Sequence, residues 1–206
     1  LTVTLPPGLT AGTALDALTH AIEAFTCLRA SPFTDSLALG AIELIGSHLR
    51  RVLADGRDLE ARHNLLMAAA MAGMAMANAG LGLVHSISQP LGTRCRLPHG
   101  LSNAVLLPYV LEFNRTASPA KFARVAAALG KDPGGRDDLD ASGMAVEAVE
   151  ELLADAGLPR GLSELGVTKE VFPLLCEDAL KGGGIRNNPR PAGKDDIAEI
   201  LRQALG

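Results

Sequence analysis

The sequence has no tryptophan, one tyrosine and five phenylalanines, so aromatic residues make up only 3% of its 206 positions. Sheets draw on Val, Thr and Tyr; a chain poor in aromatics and rich in Ala, Leu and Gly points instead to helices packed closely through small side chains. Cysteine is as sparse. Cys27, Cys95 and Cys176 are odd in number, lie far apart and form no CxxC pair, which excludes a disulfide framework and a cysteine zinc site and suits a reducing, cytoplasmic setting. No run of like charges occurs, and 19 Lys+Arg against 23 Asp+Glu leave a net charge of -4, so nucleic acid is not expected as a partner. A hydrophobic share of 48% is ample for a buried core without staples.

The start, Leu-Thr-Val-Thr-Leu-Pro-Pro-Gly, lacks an initiator Met, a basic n-region and an apolar stretch long enough for a secretory signal. It reads as a chain beginning mid-protein, with residues 1–8 a short extended piece. Within residues 65–84 the only strongly polar side chain is Asn78, over a length close to that of a bilayer crossing. The content is mostly Ala, Gly and Met, the end is punctuated by glycines and a His follows, so the expectation is the central helix of a bundle and no membrane. Met67, Met71, Met74 and Met76 are read as adaptable core filling.

The rest of the pattern is helical throughout. Thr10 to Thr13 supply cap-type residues for a helix to about Cys27. After the break at Ser31-Pro32, the residues Leu37, Ile42, Leu44, Ile45, Leu49 and Val52 form one apolar stripe at helical spacing, ended by Asp55-Gly56. A third helix should run from near Leu59 to about Ala79, where Gly80 and Gly82 loosen the chain before a short segment carrying His85, closed by Pro90 and Gly92. Further helices are expected beyond Pro98, with a kink at Pro108, and near 118–129, 141–156, 169–181 and 194–205. Residues 130–140 read as a surface loop within a single all-α domain.

Asp16 and His20 stand four apart on the first helix, so both side chains leave the same face one turn apart. A carboxylate oxygen and an imidazole nitrogen so placed can share one first-row divalent ion, although a local ion pair or plain surface polarity is the commoner account of this spacing. His85 and His99 are flanked by apolar and helix-breaking residues that usually go inside, where an unpaired imidazole is costly; a satisfied core histidine and a helix cap are the alternatives. His48 and His63 lie in charged stretches and read as solvated helix face.

Three segments make the pattern specific: Gly12-Thr-Ala-Leu-Asp16-Ala-Leu-Thr-His20-Ala-Ile-Glu23-Ala, Asn78-Ala-Gly-Leu-Gly-Leu-Val-His85-Ser-Ile-Ser-Gln-Pro90-Leu-Gly92, and Leu97-Pro-His99-Gly100. They closely resemble the signatures of iron-containing, or group III, alcohol dehydrogenases. The likeness continues through Asn103-Ala-Val-Leu-Leu-Pro108 and Asn188-Pro-Arg190-Pro191, in the family's order and over essentially the whole chain. The resemblance implies the helical C-terminal domain of such an enzyme (a dehydroquinate synthase-like fold), with Asp16, His20, His85 and His99 holding Fe(II) or Zn(II). It also implies NAD or NADP bound by a preceding α/β domain, of which residues 1–8 would be the remnant. No Gly-rich loop joins a strand to a helix here, and residues 182–184 lack that context.

The implied activity is interconversion of a small alcohol and its aldehyde, with this domain inactive alone. Where the family often places a further His four residues after the third ligand, this chain has Gln89, which lines the site but does not titrate near neutral pH. Glu23 reads as a surface or interhelical ion pair, the less favoured alternative being a partner for an imidazole. A stand-alone metal-binding protein or metal-dependent hydrolase would need its own base or nucleophile, and none stands out. Apolar surface shaped for a second domain should leave the isolated chain prone to self-association into homo-oligomers.

Overall fold

The computed structural model describes residues 2–206, which form nine α-helices, four short 3₁₀ turns and no strand. The helices are α1 (Pro7–Thr26), α2 (Pro32–Ala54), α3 (Leu59–Ala79), α4 (Leu83–Cys95), α5 (His99–Arg115), α6 (Pro119–Ala128), α7 (Asp138–Asp155), α8 (Phe172–Ala179) and α9 (Lys194–Leu205). The all-α expectation holds. The expected extended start does not: Leu1 lies outside the described residues, Thr2–Thr4 is a 3₁₀ turn, and α1 begins at Pro7, ahead of the threonines read as caps. Proline at the first helical position loses no hydrogen bond, because that N–H has no intrahelical partner, and its fixed φ suits the helix.

In α1, Leu15, Leu18, Ile22 and Phe25 recur at helical spacing and are almost completely buried, each side chain contributing about 1.5–3 kcal/mol of transfer free energy. Between them Ala11, Ala14, Ala17, Ala21 and Ala24 are buried too, so α2 to α6 all approach this helix closely. Ser31 caps α2: its hydroxyl accepts from the Thr34 N–H while the Thr34 hydroxyl accepts from the Ser31 N–H. Asp58 caps α3 in the same manner through the Ala61 N–H.

Helix α3 is not central as expected. It packs on α1 and α2 through Ala61, Ala68, Ala72, Ala75 and Ala79, and its opposite face stays open, with Leu66 40%, Met67 45% and Met74 48% exposed. Two of the four methionines are therefore surface residues, while Met71 and Met76 are partly buried against the core. The helix is apolar nearly all round, which periodicity reads as burial, whereas one side, the alanine stripe with Leu65, Met71 and Met76 at its edges, is what packs on the core. No single helix among the described residues is long and apolar enough to cross a membrane; α3 and α4 would suffice together, but the chain bends by 105° between them.

The segment carrying His85 is longer than expected, because α4 runs through Pro90 to Cys95. Proline inside a helix costs about 3 kcal/mol in lost hydrogen bonding and steric clash; burial of Leu83, Val84, Ile87 and Leu91 on α4 offsets it. Helix α5 likewise continues through Pro108.

Candidate metal centre

Helices α1, α4 and α5 each bring part of one cluster. On α1, Asp16, His20 and Glu23 follow the stripe i, i+4, i+7 and face α4 and α5. The approach of α5 is set by a glycine: a Cβ on Gly100 would lie 2.5 Å from the Gly12 carbonyl oxygen and 3.4 Å from Asp16 Cβ. Only a residue without a side chain lets the start of α5 come this near to α1, and that start carries His99.

The four residues singled out by sequence come together. One ligand-type atom from each of Asp16, His20, His85 and His99 lies within 4.8 Å of the others. From Asp16 Oδ1 the Nε2 atoms of His20, His85 and His99 are 3.7, 3.9 and 3.6 Å away. A four-coordinate ion held at about 2.0–2.2 Å by nitrogen and oxygen has ligand–ligand edges of about 3.3–3.6 Å, so the three edges from Asp16 lie close to these values, while the wider separations in the set, up to 4.8 Å, would have to close around an ion. The His20 and His85 rings stack with centroids 4.8 Å apart, and the His85 and His99 rings lie 5.3 Å apart. Burial holds the His20 imidazole below its ordinary pKa, outweighing the upward pull of the Asp16 carboxylate.

His85 is buried as expected, but the side chain of His99 is 47% exposed. It is the first residue of α5, with Pro98 before it at the cap position, so it stands at the open side of the cluster. Gln89, one turn beyond His85 on α4, is exposed and borders a recess of about 460 Å³. His85, Ser86, Met76, Leu81 and Arg29 line the same recess, with the glycines of residues 182–184 beside them.

Glu23 is only 5% exposed, which corrects the surface reading. Its Oε2 accepts from His85 Nδ1 at 2.6 Å and its Oε1 from the Val84 N–H at 2.6 Å. A carboxylate on Nδ1 fixes that nitrogen as the N–H and leaves the Nε2 lone pair turned toward Asp16 and His20. The stripe 16, 20, 23 on one helix was the available sequence signal.

Asn103 carries a role that residue-level reading did not give it. It stands four residues after His99, and its Nδ2 lies 2.6 Å from Asp16 Oδ1, 3.0 Å from His85 Nε2 and 3.1 Å from His99 Nε2. Two amide hydrogens thus face three acceptors, while the buried Oδ1 has no hydrogen-bond partner. Such a surplus of lone pairs around one point is the donor set a cation satisfies. His48, in contrast, belongs elsewhere: its Nδ1 lies 2.9 Å from the Leu44 carbonyl oxygen and its Nε2 2.9 Å from Asn64 Nδ2, tying α2 to α3, so it is not a solvated side chain. His63 is exposed, as expected.

Known proteins resemble this chain over nearly its whole length. The profile of the Fe-containing alcohol dehydrogenase family, C-terminal, matches residues 10–205. The 1,3-propanediol dehydrogenase of Citrobacter freundii is 46% identical over 200 residues, covering 97% of this chain and 52% of that protein. The NAD-dependent methanol dehydrogenase of Bacillus methanolicus is 42% identical over 205 residues, covering 100% of this chain and 54% of that protein. A crystal structure of 1,3-propanediol oxidoreductase superposes with a TM-score of 0.97 at 44% identity, over 98% of this chain and 53% of that one. The chain spans about half the length of the relatives it matches. With the profile running from the first turn of α1 to the end of α9 and the helices superposing throughout, the chain belongs to the Fe-containing alcohol dehydrogenase family, as its C-terminal domain.

Proposed function

We propose that residues 1–206 are the metal-holding domain of an NAD(P)-linked alcohol dehydrogenase or aldehyde reductase acting on a small alcohol or aldehyde, with the nucleotide supplied by a preceding domain. The observation that carries this reading is the meeting of Asp16, His20, His85 and His99 from three helices in a chain of this family. Relatives about twice as long support the preceding domain, and their names denote alcohols and aldehydes as substrates. The three free cysteines favour a cytoplasmic setting.

The residues present fit a divalent ion. Three neutral imidazoles and one carboxylate suit Fe(II) or Zn(II) and leave the site with net positive charge. The chemistry supplied at such a site is Lewis-acid activation of an alcohol hydroxyl or, in reverse, an aldehyde carbonyl near neutral pH. The chain's own side chains do the rest. Glu23 holds the His85 tautomer, Asn103 steadies the Asp16 carboxylate, and the recess at Met76, Leu81 and Gln89 receives the carbon skeleton beside His85. Gln89 orients a hydroxyl by hydrogen bonding without taking its proton.

The test is metal content of the anaerobically purified chain by plasma mass spectrometry, beside His99→Ala. About one equivalent of iron or zinc, lost in the variant, supports the reading; no metal in either after Fe(II) or Zn(II) is supplied under reducing conditions counts against it. Joined to a nucleotide-binding domain, the chain is expected to oxidise short alcohols with NAD or NADP.

A further inference from the structure

The first turn of α4 carries His85 but has no cap of its own: Gly82, at the cap position, offers no side chain. The first four N–H groups of a helix have no intrahelical partner. The Val84 N–H goes to Glu23 from α1, and the Leu83 N–H goes to Asn188 Oδ1 at 3.1 Å, a residue 105 positions away in the segment before α9. Asn188 is itself immobilised. Its Oδ1 also accepts from Asn114 Nδ2 at 2.9 Å, and its Nδ2 donates to Asn114 Oδ1 at 2.6 Å and to the Arg190 carbonyl at 2.7 Å. Turning the amide over would set NH₂ against the Leu83 N–H and against Asn114 NH₂, so its orientation is fixed. Both asparagines are buried.

The preceding residue acts on the other side of the same bend. Asn187 Nδ2 donates to the carbonyls of Ala79 at 2.9 Å and Leu81 at 3.1 Å, taking up acceptors left over at the end of α3. Its own Oδ1 accepts from the Arg29 N–H at 3.2 Å. Two neighbouring amides therefore serve the carbonyl that ends α3, one within the bend and an N–H that begins α4, across the 105° turn at residues 80–82. The bend leaves no room for side chains: a Cβ on Gly80 would meet Asn187 Nδ2 at 2.8 Å, and one on Gly82 would meet both Asn188 Oδ1 and Glu23 Oε1 at 3.0 Å.

We propose that Asn188, locked by Asn114 and assisted by Asn187, is a positioning residue for the metal-binding imidazole of His85. It sets the start and direction of α4, and so the place of His85 Nε2 relative to Asp16 and His20. This rests on the metal reading above, and adds to it a requirement for a segment far from every ligand in sequence.

The experiment uses the 206-residue chain with Co(II) as the probe, whose visible bands report geometry at the ion. Asn188→Ala is compared with the wild type and with Val149→Ala, a buried change on α7, which packs against α5 and α6. Asn188→Ala should weaken Co(II) binding about 10- to 100-fold and alter the visible bands, as loss of a residue supporting a ligand does. Val149→Ala should leave both within twofold even if it lowers the melting temperature as much. Amide hydrogen exchange of the metal-free chain should quicken at residues 83–85 in Asn188→Ala only. Unchanged Co(II) affinity and exchange in Asn188→Ala, or equal weakening in Val149→Ala, overturns the proposal. A wild-type chain that takes up no Co(II) overturns the metal reading instead, and the exchange measurement still tells whether Asn188 holds the first turn of α4.

Discussion

Replacing Glu23 by glutamine tests the centre at its most constrained point. The wild-type carboxylate is buried and accepts from two donors, His85 Nδ1 and the Val84 N–H, each at 2.6 Å. Glutamine has one acceptor oxygen and one NH₂ in nearly the same volume. If the oxygen stays on Val84, the NH₂ faces Nδ1 and forces the proton onto Nε2, which removes the lone pair the ion needs. If the oxygen stays on His85, the NH₂ opposes the Val84 N–H, leaving a buried donor unpaired. A charged hydrogen bond contributes about 1.5–3 kcal/mol and an unpaired buried group costs about 1–3 kcal/mol, so Glu23→Gln should destabilise the metal-free chain by about 2–3 kcal/mol. Metal affinity should fall about 10- to 100-fold, as it does when the partner of a ligating histidine is removed. Glu23→Ala leaves both donors unpaired and should be worse on both counts. Urea unfolding of the metal-free chain gives the first quantity and a Co(II) titration against a competing chelator the second. Glu23→Gln binding Co(II) within twofold of wild type would refute the tautomer argument.

Other measurements reach different parts of the fold. Gly100→Ala places a methyl group against the Gly12 carbonyl and should push α5, with His99, away from Asp16, lowering metal affinity at least tenfold; an unchanged Co(II) titration would show that α5 can shift freely. Because burial lowers the folded-state pKa of His20 below its unfolded value of 6.5, the unfolded chain binds that proton more readily. Stability of the metal-free chain is therefore full above pH 6.5 and declines as pH falls through the folded pKa. His20→Asn should flatten that decline, measured by urea unfolding at pH 7.5 and 5.5. Leu66 and Met74 sit on the open face of α3, so Leu66→Glu with Met74→Glu should reduce self-association in light scattering while leaving the melting temperature nearly unchanged. Added Zn(II) at about 100 times its dissociation constant should stabilise the wild type by about 2.7 kcal/mol, and a chelator should remove that gain.

Some of this molecule is written in local spacing and some is not, and the division follows the physics of each contact. Asp16 and His20 are one helical turn apart, so their shared face follows from sequence alone, and Glu23 three residues further continues the same stripe. Reading that stripe as directed inward, and not as solvated charge, depended on α4 lying across it, which no local spacing states. Asn103 likewise follows His99 by four, yet an asparagine on a helix face is ambiguous until its neighbours are known. Helix α3 shows the opposite limit: its ends near Leu59 and Ala79 were readable, the second from Gly80, but an all-round apolar composition cannot tell which stripe is packed and which is left open. Pro90 and Gly92 stop helices in isolation, and α4 passes both because Leu91 and its neighbours are buried by elements distant in sequence. The asparagines at 187 and 188 mark the far end of this series. The segment from Asn188 to Pro191 shares the family's pattern, but local spacing gives these asparagines no role, because the groups they satisfy, at Ala79, Leu81 and Leu83, become their neighbours only when the end of the chain returns to the bend between α3 and α4. The ligands are therefore legible as a set of residue types, whereas the supports that fix their geometry come from long-range closure.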